Sequence, residues 1–91
     1  MNVSRNDLWL MMLSTMRYSF RRTSYLPSAF IDMVKLYQNG LEDHQLKQMR
    51  EETLAELRVE TDIPGYLGMN CDVNTWKNFV ITLDKIIEKR S

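Results

Sequence analysis

Helical periodicity runs the length of this chain and is interrupted at only three places: around Pro27, at Asn39-Gly40, and through Pro64, Gly65 and Gly68. No stretch alternates apolar and polar residues as a half-buried strand does, so the core has to be made by packing helices on one another. The expected fold is all-α: a compact bundle of four short helices in a single domain covering residues 1–91.

The first helix is expected to start after Ser4 or Asn6, either a suitable N-cap, and to run to about Arg22, with Asp7 at the positive end of its dipole and arginines at the other. At about 100° per residue, Trp9, Met12, Leu13, Met16 and Phe20 share one face, and Met11, Thr15, Tyr18 and Arg22 lie on nearly the reverse one. A helix this apolar around its circumference is expected either at the centre of the domain or under a second chain. Pro27 disfavours helix at Leu26, so residues 23–26 read as a short connection. The second helix is then expected from Pro27 or Ser28 to Asn39, with Ala29, Phe30, Met33, Val34, Leu36 and Tyr37 inward and Asp32, Lys35 and Gln38 outward. Gly40 reads as its stop, in left-handed backbone.

A third helix, from Glu42 or Asp43 to about Glu60, carries a narrow stripe of Leu46, Met49, Thr53 and Leu57 and should lie along one edge. Residues 61–70 read as a loop with Ile63, Tyr66, Leu67 and Met69 as anchors. Asp72 is expected to cap the last helix, with Cys71 packed on Trp76. That helix should run to about Lys89 and bury Trp76, Phe79, Val80, Leu83, Ile86 and Ile87, leaving Ile81 on its polar side.

A chain of 91 residues holds a modest core, in the size range where oligomerisation often adds stability, and a homo-oligomer is expected. Cys71 is the only cysteine, which excludes an internal disulfide. No uncharged run approaches the roughly 18 residues of a membrane span, and no signal-peptide pattern opens the chain, so a cytoplasmic protein without a membrane partner is expected. Net charge is zero, but unevenly spread: residues 1–40 carry five Lys/Arg against two Asp/Glu, and residues 41–91 carry seven against ten. Such a chain lacks the overall field of a general nucleic-acid binder, and internal pairing or head-to-tail contact is the expected use of the asymmetry.

No Gly-rich phosphate loop, Cys/His metal spacing, HExxH or nucleophile elbow is present, so no catalytic residue, metal ligand or cofactor is assigned. His44 reads as a solvated helix residue, Cys71 as a small buried hydrophobe, and Glu51, Glu52, Glu56 and Glu60 as a salt-bridging face beside Lys47, Arg50 and Arg58. The one concentrated chemistry is the stretch holding Arg17, Tyr18, Arg21, Arg22, Thr23 and Tyr25, where three guanidinium groups and two phenols meet a turn. Guanidinium groups fork onto carboxylates and phosphates and stack on rings. These six residues are the candidate binding site, for a partner protein or a phosphate-bearing ligand. The alternative is structural: the arginines pair with Asp32, Asp72 or the acidic third helix.

The run from Arg17 to Tyr25, the Asp43-His44-Gln45-Leu46 helix start and the Cys71-Asp72-Val73-Asn74-Thr75-Trp76 segment together resemble small phage and prophage proteins of unknown function, over most of the chain. The resemblance implies a mobile-element accessory role, acting by binding and blocking a host or defence protein, and brings no catalytic residues with it. Two other functions stand beside this expectation: a sponge or sensor for a nucleotide-like ligand, and a DNA-binding regulator. The last is disfavoured because the second and third helices carry more acid than base.

Overall fold

The computed structural model describes residues 3–20, 25–62 and 73–91, and four α-helices account for most of them: α1 (Arg5–Ser19), α2 (Tyr25–Tyr37), α3 (Asp43–Asp62) and α4 (Val73–Arg90). Among the described residues there is no strand. α1 packs on α2 and α3, and α4 on α3 and α2, so the order around the bundle is α1, α2, α4, α3.

Local chemistry fixes the helix ends. Ser4 is the N-cap of α1, its hydroxyl accepting the Asp7 N–H at 3.0 Å. α1 stops at Ser19, short of Arg22, and Phe20 follows as the C-cap. α2 begins earlier than its proline suggests, at Tyr25, with Pro27 in the first turn. There the missing N–H costs nothing, because first-turn N–H groups have no partner within the helix, and the fixed φ of proline suits it. A 3₁₀ turn, Gln38–Gly40, ends α2.

Gly40 is placed by space rather than by left-handed backbone: its φ lies outside that region, and a Cβ there would stand 2.6 Å from Leu8 Cδ2. At the start of α3, Gln45 Oε1 accepts the Glu42 N–H at 2.8 Å, the return half of a capping box. α3 continues to Asp62, past the expected Glu60. The expected Asp72 cap, the Cys71 staple and the anchors Ile63, Tyr66, Leu67 and Met69 lie outside the described residues.

The core takes residues from every helix: Met12, Met16 and Phe20, then Phe30 and Val34, then Leu46 and Met49, then Trp76, Phe79 and Leu83. Trp76 is its centre, with ring centroids 4.7 Å from Phe20, 6.2 Å from Phe30 and 5.7 Å from Phe79. Such ring pairs add roughly 0.5–1.5 kcal/mol each beyond the area they bury. Two buried hydroxyls are satisfied within their own helices, Thr53 by the Met49 carbonyl at 2.8 Å and Ser19 by the Thr15 carbonyl at 2.7 Å.

α4 buries the expected stripe, with Ile87 partly buried and Ile81 half exposed. One expectation is narrowed and one needs correction. Of the two places expected for so apolar a helix, α1 does not take the centre of the domain: its reverse face stays in water, with Met11 57% and Tyr18 54% exposed. α2 is turned so that Ile31 is buried, while Ala29, Leu36 and Tyr37, expected inward, are exposed. The apolar arc of α2 is wider than the seam available to it, so one edge must lie outside.

Candidate functional site

Arg17 and Tyr18 are neighbours in sequence but about 100° apart on α1, and they face different seams. Arg17 points toward α3. Its Nε donates to Glu52 Oε1 at 2.8 Å and its Nη2 to Glu52 Oε2 at 2.9 Å, a two-pronged fork, and Gln48 Nε2 donates to Glu52 Oε2 at 3.0 Å. The Arg17 hydrogen bonds hold the Glu52 carboxyl below its ordinary range, against partial desolvation that acts the other way. The same carboxylate raises the guanidinium of Arg17 above its usual value. The cleft beside this pair, about 390 Å³, is lined by Arg17, Phe20, Glu52, Ala55 and Glu56. A phosphate entering it would have to displace Glu52 and sit next to a second carboxyl, an unfavourable exchange.

Tyr18 lies on the Met11 stripe of α1, away from Glu52, and is 54% exposed. Arg21, Arg22 and Thr23 lie outside the described residues, and Tyr25 is seen only as the first residue of α2, its side chain undescribed. Of the six candidate residues, then, the structure describes two side chains and sets them on separate seams. Three further arginines are paired: Arg5 with Glu42, Arg50 with Asp84 and Glu51, and Arg90 with Asp43. The pairs of Arg5 and Arg17 join the basic first half to the acidic second half.

Arg90 does more than pair. Beyond Asp43 it donates to the carbonyls of Leu41 at 2.8 Å and Gln38 at 2.6 Å, tying the end of α4 to the turn between α2 and α3. Basic residues at a helix C-terminus are common enough that the sequence offered no sign of this clamp.

On the α2 side of α1 lies a groove of about 420 Å³ lined by Val3, Leu8, Met11, Met12, Met33 and Tyr37, none of them charged. Helical spacing extends its walls: Tyr18 stands two turns beyond Met11, past Thr15, and Leu36 and Ala29 continue the α2 wall beyond Met33. Val3, Met11, Tyr18, Leu36 and Tyr37 keep at least half of their surface in water, led by Leu36 at 73%. The sequence signal for this face is the reverse-face set of α1, Met11, Thr15, Tyr18 and Arg22, of which Arg22 lies outside the described residues. Its α2 half was taken for core.

His44 is exposed on α3. Among the described residues no group of three or more His, Cys, Asp and Glu is placed to hold a metal ion, and no helix is long and apolar enough to cross a membrane. Compared with family models, with curated proteins and with solved structures, the chain matches none.

Proposed function

We propose that the chain is a non-enzymatic binding module that docks on another protein through the uncharged face of α1 and α2. In this reading it works as an accessory protein of the phage or mobile-element kind that its sequence resembles, occluding a surface of a host or defence protein. The observation that supports it is the groove lined by Val3, Leu8, Met11, Met12, Met33 and Tyr37, of which Val3, Met11 and Tyr37 stay half exposed, with Tyr18 and Leu36 exposed further along the same two helices. Isolated surface apolar groups need no explanation, but a contiguous apolar face between two helices marks a contact site. Methionines suit such a face because a flexible thioether conforms to irregular partners. Two tyrosines add large, rigid contact area with a polar tip.

Relative to the sequence expectation, the centre of the site moves from the arginines to this face, with Tyr18 common to both. The Arg17 fork is better spent holding α1 to α3, and its acid-lined cleft weighs against the nucleotide-sponge alternative.

The test is capture from lysate followed by reconstitution from purified components. One protein should bind wild type and Ile81→Glu, an exposed α4 control, equally, and Met11→Glu at least about tenfold more weakly, or about 1.4 kcal/mol. No captured protein, or one that Met11→Glu binds as tightly as wild type, sinks the proposal. A saturable thermal shift with mononucleotides or cyclic nucleotides would favour the sponge instead.

A further inference from the structure

We infer that the docking groove carries a redox switch: Met11, the open thioether on its rim, takes one oxygen atom from a hydroperoxide, and the resulting sulfoxide closes the groove to its partner. The inference rests on the docking reading of that groove and adds how docking is regulated.

Exposure singles the residue out. Five methionines lie among the described residues, in three grades: Met11 is 57% exposed, Met33 is partly buried, and Met12, Met16 and Met49 are at 1% or less. An oxidant dissolved in water reaches a thioether only where water does. Met11 therefore reacts first and the core methionines are shielded. Position gives that reaction its consequence, because Met11 lines the groove with Val3, Leu8, Met12, Met33 and Tyr37, none of them charged.

The chemistry balances with hydrogen peroxide alone. A sulfur lone pair attacks one peroxide oxygen, the O–O bond breaks, an S–O bond forms, and the other oxygen leaves as water. Sulfur loses the two electrons that the peroxide gains. A flexible apolar side chain has become a polar one. In the free protein the new dipole faces water, and the fold bears little of the change because Met11 lies outside the core cluster. In a docked complex the same dipole is taken out of water against a surface that fitted a thioether, which weakens binding.

The experiment treats the full chain with hydrogen peroxide and follows each methionine by site-resolved mass spectrometry. Met11 should oxidise at least about tenfold faster than Met12, Met16 and Met49, with Met33 between them, while circular dichroism shows unchanged helicity. Binding to the protein captured in the docking test is then measured. When Met11 is oxidised, affinity should fall at least about tenfold. Met11→Leu, with similar volume and no sulfur, should keep its affinity through the same treatment. That variant retains Met1, Met69 and Cys71, so a loss confined to wild type belongs to Met11. Oxidation of Met12 or Met16 as early as Met11 overturns the inference. A captured protein that binds the Met11 sulfoxide as tightly as the thioether removes the switch and leaves docking intact. If no protein is captured, docking and switch fall together.

Discussion

On its α3 side, α1 meets its neighbour with Met16 against Thr53, both buried, beside the Arg17–Glu52 fork. On its α2 side the same helix leaves Met11 and Tyr18 half in water beside Met33, Leu36 and Tyr37. The first seam is apolar inside and charged at its rim, and the cleft beside it is lined by Arg17, Glu52 and Glu56 as well as Phe20 and Ala55. The second is lined by uncharged side chains alone, with Asp7 and Asp32 one helical turn away from Met11 and Leu36. An exposed ion pair contributes little to stability, but it keeps a rim hydrated and unreceptive. A chain selected only to stay folded could have ended both seams in charge, so the contrast separates what holds the bundle from what is left available.

The contrast can be broken or sharpened by four substitutions. Trp76→Ala should cost most, about 3–5 kcal/mol by chemical denaturation, because it empties the centre of the ring cluster. A cost below about 1 kcal/mol would mean the two seams do not differ in the way described. Arg90→Ala comes next, at about 1–3 kcal/mol, since it strips two backbone carbonyls and Asp43 of a charged donor.

Glu52→Gln should cost under about 1 kcal/mol at neutral pH, because Arg17 is more than half exposed. Its signature is in the acid limb of the stability profile. The folded pKa of Glu52 is lowered, so its contribution is complete above the ordinary carboxylate value of about 4.3 and vanishes as pH falls through the lower folded value. Wild type and variant should therefore converge in acid and run parallel from about pH 5 upward. A gap that persists in acid would show that the pair does not act through the carboxylate charge. Smallest is Leu36→Glu, within about 0.5 kcal/mol, because that side chain is mostly in water. A large loss of stability there would place Leu36 in the core and close the open face.

How much of this was legible depended on how narrow each apolar stripe is. α4 shows its burial in its spacing because Trp76, Phe79, Leu83 and Ile86 occupy one arc and polar residues fill the rest. α3 was legible for the same reason, through Leu46, Met49 and Thr53. In α2 the apolar arc runs from Ile31 through Val34 and Met33 to Leu36, wider than one seam, and periodicity cannot say which end faces in. Tertiary packing on α4 decided for Ile31.

Pro27 was misplaced by two residues because its preference for a first turn does not specify which position of that turn it takes. Gly40 was identified as special, but for a backbone reason, when the constraint comes from Leu8 more than thirty residues earlier. The arginine stretch showed that guanidinium groups were present, but not that Glu52 would take one of them, since a salt bridge between distant helices leaves no local pattern.

The ring cluster around Trp76 bears on how the molecule comes together. Phe20 caps α1 and Phe30 comes from α2, Trp76 and Phe79 from α4, with all of α3 between them in sequence. Neither end of the chain holds enough rings to close the cluster alone, so a half-formed molecule has no resting place and folding is expected to be all-or-none. The nucleus must await a meeting of distant segments, slower than pairing adjacent helices. With Trp9 replaced by Phe, the indole of Trp76 would report that meeting directly, its emission moving to shorter wavelength in a single step as the two ends of the chain find each other.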